Sequence, residues 1–370
     1  MPKISPSPDE LVSIVPPPVT ASETQGGFPL VSVIVPCRNE KDWIGRCLAS
    51  IVENTFPKDR LEVIVVDGMS DDGTRSIVES FAAKYPFVRL VDNPRRITPT
   101  ALNLGIAASR GDIIMRMDAH YKYGSDYISS LAGWLARSGA DNVGGVLVME
   151  PAGPTALSPA IAVGVCHPFG IGNAYYRIGV TMPTAVDTVP FGCYRRGVFE
   201  WVGLFDEDLA RNQDIEFNLR LIKAGGKILL VPAVVVYGNA RPSLRTLARA
   251  YFQYGYFNPV VIRKLGGKPH LRQAAAPLFV AALVVFTLAA PWYPAAAVAL
   301  AAILCVYGSI TAACCVTTAA RRGLRCGAWL AVVFPVLHLS HGLGFLKGLF
   351  DFYVRRRNLH EVAEHIPLAR

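Results

Sequence analysis

Two apolar runs in this chain end abruptly in carboxylates, and a later helix opens on another pair. The first run, Leu61-Glu-Val-Ile-Val-Val, ends in Asp67-Gly-Met-Ser-Asp71-Asp72-Gly-Thr; the second, Asp112-Ile-Ile-Met-Arg-Met, ends in Asp118-Ala-His120. In an open α/β sheet, ligands bind in the crevice beyond the carboxyl ends of the strands. An acid such as Asp67 at that place can accept hydrogen bonds from a nucleobase or a ribose, whereas Asp71 and Asp72 read as turn or helix-entry residues. Asp118 and His120 are i and i+2 of an extended chain, so both project to one side. A carboxylate with an imidazole suits Mn²⁺ or Mg²⁺, completed by diphosphate oxygens. In Asn212-Gln213-Asp214-Ile215-Glu216, Asp214 stands at a helix start, where the dipole favours negative charge, and is a candidate to accept a proton. Arg220 pairs with Glu216 at i+4 and lies too far along the helix to meet Asp214.

These residues need a frame. Residues 30–36, 61–66, 87–91 and 112–117 read as strands, and 39–53, 72–84, 99–109 and 125–137 as helices between them. That alternation predicts a parallel, doubly wound sheet. A strand over 143–149 follows, then an irregular stretch over 151–186, rich in Gly, Pro and aromatics, which reads as a functional loop. Helices over 196–202 and 213–224 and a strand over 227–231 complete the pattern.

Beyond residue 240 the composition changes. Residues 243–265 mix Arg, Tyr and Phe with apolar residues, which suits an amphipathic helix at a bilayer surface, with a helix packed on a domain as the alternative. Residues 274–290, 295–316 and 327–345 are apolar and about long enough to span, the last containing His338 and His341. Arg263, Lys264, Lys268 and Arg272 precede the first; Arg321, Arg322 and Arg325 follow the second; Arg355, Arg356 and Arg357 follow the third. The excess of basic residues on cytoplasmic loops places the first two clusters inside and Trp292-Tyr293-Pro294 outside. A third full span would put the last arginines outside, so two to three membrane helices are expected. The resulting plan is a tail over 1–28 with a disordered composition and no apolar signal core, a catalytic domain over 29–242, an interfacial segment over 243–272, membrane segments over 273–350, and a basic tail over 351–370.

The formal charge of +9 would ordinarily raise nucleic acid as a partner, but much of it gathers around the membrane segments, which argues against that partner. The eight cysteines contain no C-x-x-C pair, so they read as reduced thiols rather than a zinc site. A dinucleotide-dependent oxidoreductase is excluded by the turn after the first strand, Pro36-Cys-Arg-Asn39-Glu40, which lacks G-x-G-x-x-G.

Six pieces in order carry a resemblance over residues 30 to 240. They are Val31-Ser-Val-Ile-Val-Pro36-Cys-Arg-Asn39-Glu40; Val65-Val-Asp67-Gly-Met-Ser-Asp-Asp-Gly-Thr; Ala101-Leu-Asn103-Leu-Gly; Arg116-Met-Asp118-Ala-His120; Phe191-Gly-Cys-Tyr-Arg-Arg with Phe205-Asp-Glu; and Gln213-Asp214-Ile-Glu-Phe-Asn-Leu-Arg220. The chain resembles the family 2 glycosyltransferases, and most of all their succinoglycan-type bacterial exopolysaccharide branch. The resemblance implies a GT-A fold, a Rossmann-like and mostly parallel α/β sheet flanked by helices, here followed by C-terminal transmembrane helices. It implies that Pro36, Asn39, Glu40, Asp67, Asn93 and Asn103 bind the nucleotide. It further implies that Asp118 contacts ribose or metal, that His120 binds the metal, and that Asp214 is the catalytic base, with Gln213, Glu216 and Arg220 in support. His120 departs from the usual second Asp of D-x-D, Gln213 replaces a common Glu, and the Q-x-x-R-W of processive synthases has no counterpart. A non-processive, inverting hexosyltransferase is expected, using a nucleotide sugar such as UDP-glucose, a divalent metal and a polyprenyl-diphosphate-linked acceptor at the inner membrane of a bacterium. The alternative is a degenerate, membrane-anchored binder of nucleotide sugars or glycans.

Overall fold

A computed structural model describes residues 28–266, 271–359 and 362. Residues 1–27 of the expected tail over 1–28, Lys268 and most of the chain beyond 359 lie outside the described residues. Strand β1 (Val31–Cys37) leads through α1 (Ile44–Val52) to β2 (Leu61–Asp67), and α2 (Thr74–Lys84) leads to β3 (Val88–Asp92). Next come α3 (Thr98–Ala108), β4 (Ile113–Arg116), β5 (Tyr121–Tyr123), α4 (Tyr127–Ser138) and β6 (Asn142–Glu150). Then follow α5 (Leu157–Gly164), β7 (Thr184–Ala185), β8 (Cys193–Arg195), α6 (Gln213–Lys223) and β9 (Ile228–Asn239). The remainder is helical: α7 (Leu244–Leu265), α8 (Leu271–Ala289), α9 (Pro294–Arg322) and α10 (Leu324–Leu349). The chain divides into two compact units, residues 1–148 with 175–238 and residues 149–174 with 239–370.

The first unit is built on a nine-stranded sheet of order β3-β2-β1-β4-β8-β6-β9-β5, with β7 beside β9. β3, β2, β1 and β4 run parallel, as the alternating pattern predicts. β2 is buried along its whole length, which is why Val63 to Val66 read as a continuous apolar run rather than an alternating one. The short β5, β7 and β8 pair antiparallel with longer neighbours. Two or three residues carry no period of their own, so these strands are invisible to a pattern search. From β1 the chain winds outward to β2 and β3, then returns to β4 on the other side. That reversal opens a crevice between the carboxyl ends of β1 and β4.

Glu62, near the start of β2, ties this half together. It is 4% exposed. Its Oε1 accepts from the Ser32 hydroxyl at 2.5 Å and the Gly111 amide at 3.2 Å, and Arg89 reaches Oε2 at 3.2 Å. Burial pushes the Glu62 carboxyl up. The Arg110 amide, Ser32 and the Arg89 and Arg110 charges more than offset that and hold it below its usual value.

The second unit takes in residues 149–174, which the sequence assigns to the catalytic domain and reads as a loop. Ala160, Ile161 and Val165 are buried there with Leu247 of α7 and Leu330, Val333, Phe334 and Leu337 of α10. α5 is apolar on every side and only eight residues long, so it shows no helical period. α7 starts on a reciprocal Ser243–Thr246 cap and packs its apolar side along α10. The face that could have met a bilayer is thus covered by protein, while Arg245, Arg249, Arg263 and Lys264 stay exposed. Contact is close enough that a Cβ on Gly344 would lie 2.1 Å from the Phe252 carbonyl oxygen, the small-residue packing typical of helices in lipid. His338 and His341, the polar interruptions of the third apolar segment, are used internally. The former joins the Tyr307 hydroxyl and the Phe169 carbonyl, each at 2.8 Å, and the latter meets Asn258 at 3.1 Å. Two helices, Pro294–Arg322 and the one beginning at Leu324, are long and apolar enough to cross a membrane. The segment Gln273–Ala289 is shorter than the roughly 20 residues a span requires.

A group whose folded-state pKa is depressed stabilises above its unfolded value and loses that contribution as pH falls. Glu62→Gln is therefore expected to cost about 1–3 kcal/mol near neutrality. The cost should shrink as pH falls below the ordinary glutamate value of about 4.3. Denaturant unfolding of both proteins between pH 3 and 7 measures this.

Candidate active site

The register of the parallel strands sets Cys37, Asp67 and Asp92 side by side at their carboxyl ends. Two neighbouring carboxylates need a cation, and Arg75 from α2 supplies it, 3.3 Å from Asp67 and 2.7 Å from Asp92. Asp67 is fully buried, and it also accepts from the Ser70 amide at 3.0 Å and the Ser70 hydroxyl at 2.5 Å. Both Asp67 oxygens are thus engaged in the 67–75 turn. Asp72 acts as the expected helix-entry residue, receiving the Thr74 amide at 2.9 Å and the Lys41 amide at 3.1 Å.

The turn after β1 interlocks with that turn. Pro36 is half-buried at the end of the strand. Asn39 stands at φ 52°, a left-handed conformation that asparagine tolerates well. Its amide donates to Ser70 Oγ at 2.8 Å, and its side-chain oxygen receives the Asp71 amide at 3.0 Å. Glu40 turns across the crevice, with Oε1 at 3.4 Å from His120 Nδ1. Asn93 is buried and donates to the Ile97 carbonyl at 2.9 Å, while its own oxygen has no protein partner. Asn103 is engaged by the 205–207 loop. Its amide group donates to the Phe205 carbonyl at 2.9 Å and to Glu207 at 2.8 Å, and it accepts from the Phe205 amide at 3.0 Å. Arg95 and Thr100 hold the other Glu207 oxygen. Asn103 therefore clamps the 205–207 loop onto α3.

Beyond β4 the decisive residue is one that motif reading passed over. Arg116, buried at the end of the strand, grips Asp118 with both arms: Nε to Oδ1 at 2.7 Å and Nη2 to Oδ2 at 2.9 Å. Its guanidinium stands 5.9 Å from the Phe191 ring centre, and Phe191 is itself at φ 49°. Burial works against the Arg116 charge, but Asp118 and then Asp214 more than offset it and hold the guanidinium above its usual value. The signal was present in the sequence as the one charged residue inside Ile113-Ile-Met-Arg-Met.

Asp214 is half-buried in the first turn of α6, with Oδ1 accepting from the Ile215 amide at 2.9 Å. Gln213 beside it is buried. Glu216 and Arg220 form the expected pair, doubly bonded at 2.8 and 2.9 Å. Arg220 also donates to the Val202 and Leu204 carbonyls, so this pair braces the 202–204 loop. Below them Asn142 donates to Asn218 at 2.9 Å, and Asn218 donates to Thr188 at 2.9 Å.

Among the described residues no three His, Cys, Asp or Glu side chains gather as a complete metal cage. Asp118 and His120 lie in a turn, where the Tyr121 amide donates to the Asp118 carbonyl at 3.3 Å, rather than in the extended chain that the sequence suggested. Arg116 occupies two of the roughly four lone-pair directions of Asp118. His120 is half exposed, and a carboxylate behind its Nδ1 is the arrangement that orients a ligating imidazole. Such a pair fits a divalent cation that draws its remaining ligands from phosphate.

Comparisons with known proteins agree with this geometry. The family model described as Glycosyl transferase family 2 matches residues 32–203. The succinoglycan biosynthesis protein ExoA of Rhizobium meliloti (strain 1021) is 31% identical over 332 residues, 88% of this chain and 96% of that protein. The chain belongs to the family 2 glycosyltransferases. A second relative, from Methanococcus voltae, is a dolichyl N-acetyl-α-D-glucosaminyl phosphate 3-β-D-2,3-diacetamido-2,3-dideoxy-β-D-glucuronosyltransferase, 27% identical across 63% of this chain and 74% of its own. Among solved structures, a mannosyltransferase of Pyrobaculum calidifontis in complex with GDP-Man and Mn²⁺ aligns with TM-score 0.57 and 26% identity, covering 88% of both chains. The sheet and its helices are those of the GT-A fold.

Asn103→Ala tests the clamp against a nucleotide-binding role. It is expected to lower stability by about 1–3 kcal/mol, while the affinity for UDP or GDP changes by less than about threefold. Thermal unfolding and titration calorimetry on one preparation separate the two.

Proposed function

We propose that this glycosyltransferase moves a hexose, by inversion, from a nucleotide sugar to a polyprenyl-diphosphate-linked glycan at the inner membrane of a bacterium. UDP-glucose is the donor we favour. One observation carries the reading: Asp118, at the crevice end of β4, is held by both arms of the buried Arg116, whose charge Asp214 also supports. A candidate base and a candidate phosphate-side carboxylate thus act on one buried guanidinium.

In this reading the turns after β1 and β2 hold the nucleoside, with Pro36, Asn39, Glu40, Asp67 and Asn93 shaping its site. Asp118 and His120 would hold a divalent cation, Mn²⁺ or Mg²⁺, which when bound offsets the charge developing on the leaving diphosphate. Asp214 takes the proton of the acceptor hydroxyl as that oxygen attacks the anomeric carbon. The diphosphate departs from the opposite face, so one displacement inverts the configuration. A single base suffices, and no second carboxylate nucleophile is needed. Glu216 and Arg220 keep the helix start and the 202–204 loop in place.

Support for the acceptor comes from chemistry and from relatives. The Methanococcus voltae relative is named for a dolichyl phosphate-linked sugar acceptor, and ExoA for succinoglycan biosynthesis. α9 and α10 have the length and apolarity to anchor the chain in a bilayer, and exposed Arg245, Arg249, Arg263 and Lys264 would attract anionic headgroups and lipid phosphates, with the catalytic unit in the cytoplasm. The Pyrobaculum protein holds GDP-Man, so guanine and uracil donors belong in the same screen.

Purified protein in detergent, given Mn²⁺ and polyprenyl-diphosphate-linked glycans, is expected to release UDP from UDP-glucose. Asp214→Asn should reduce turnover by about 10²–10⁴-fold and leave nucleotide affinity intact. Turnover near wild type in that variant would remove Asp214 from the base role. EDTA-insensitive turnover would remove the metal.

A further inference from the structure

We infer that Arg116 is a positioning residue that withholds Asp118 from a lone divalent cation, so that the cation enters together with the donor's diphosphate. The inference rests on the reading of Asp118 and His120 as metal-side residues, and adds to it an order of events.

The geometry is specific. The guanidinium meets both carboxylate oxygens of Asp118 at 2.7 and 2.9 Å, with the Arg116 side chain 9% exposed and Asp118 16% exposed. A fork-to-fork pair shielded from water is the strong form of this interaction. The backbone holds the pair from both sides. The Arg116 amide donates to the Gly192 carbonyl at 3.0 Å, and the Asp118 carbonyl receives the Tyr123 hydroxyl at 3.1 Å. The Phe191 ring centre stands 5.9 Å from the guanidinium, and the Asp214 charge further favours it.

A divalent cation approaching Asp118 therefore meets a carboxylate whose two oxygens are both engaged by a fixed positive charge. His120 is neutral when it ligates and adds no attraction. The diphosphate of an incoming nucleotide supplies further negative charge and the oxygen ligands that Asp118 does not offer to a lone cation. Cation and diphosphate together can engage the remaining lone pairs of Asp118 without displacing Arg116. Glu40, 3.4 Å from His120 Nδ1, keeps the imidazole turned for that moment.

The test reads Mn²⁺ binding by electron paramagnetic resonance on the full chain in detergent, with no turnover involved. Four conditions are compared: Mn²⁺ alone, and Mn²⁺ with inorganic pyrophosphate, UDP or GDP. Wild type is expected to bind Mn²⁺ weakly alone and at least about tenfold more tightly with a nucleoside diphosphate, the scale on which one neighbouring charge changes a carboxylate's affinity for a proton. Arg116→Met should tighten binding of Mn²⁺ alone by a similar factor and lower kcat, a rise in affinity that a merely structural defect does not produce. Arg116→Lys, which keeps the charge and loses the fork, should fall between. Because the wild-type comparison needs no variant, the inference stays testable if Arg116→Met fails to fold. Equally tight binding of Mn²⁺ with and without nucleotide in wild type overturns the inference and leaves the metal reading standing. So does Arg116→Met binding Mn²⁺ alone no better than wild type. No Mn²⁺ binding under any condition overturns both.

Discussion

A buried guanidinium is intolerable without a partner, and much of the candidate site follows from how Arg116 finds one. Two hydrogen bonds from its fork fix the Asp118 carboxylate, and the Gly192 carbonyl fixes its amide. Leaving such a cation unpaired typically costs several kcal/mol, so the β4 end, the 191–194 strand entry and the first turn of α6 are constrained together. Phe191 accepts a left-handed backbone at this point, a strain that persists only where the surroundings over-determine it.

The same rule governs the other end of the crevice. Strand register forces Asp67 and Asp92 together, and Arg75 resolves the repulsion. Ser70 and Asn39 then stitch the turns after β1 and β2 into one surface. Charges at the carboxyl ends of these strands thus serve two purposes. Some hold the turns that shape the site, and others face the space where substrate chemistry would occur. Asp67 and Asn103 perform visible structural duties, whereas Asp118, His120 and Asp214 keep part of their surface exposed.

In the second unit the argument turns from charge to close contact. α7 and α10 approach through Gly255, Gly344 and Gly348, where any Cβ would overlap a backbone oxygen of the partner helix. Polar side chains within this apolar bundle are paired across helices: His338 with Tyr307, His341 with Asn258, and Tyr256 with Asp351 at 2.8 Å. The outer faces of α8 and α9 expose Leu278, Val285, Leu288, Val298, Val306 and Val316, a surface suited to lipid rather than water.

Local order in the sequence was enough to reveal the parallel half of the sheet. β1 to β4 are long or apolar enough to announce themselves, and the motifs after them locate Asn39, Glu40, Asp118, His120 and Asp214 at element ends. Tertiary structure decided what adjacency in sequence cannot carry. Arg116 came under the charge of Asp214, about a hundred residues later, only in the folded chain. Asn103 became a clamp because Phe205 and Glu207, a hundred residues later, returned to α3. Residues 149–174 packed into the second unit, which the sequence did not show because a short, mostly apolar helix has no period, and the apolar side of α7 packed along α10. A sequence pattern records which face of an element is apolar. Which surface covers that face is settled by contacts between residues far apart in the chain.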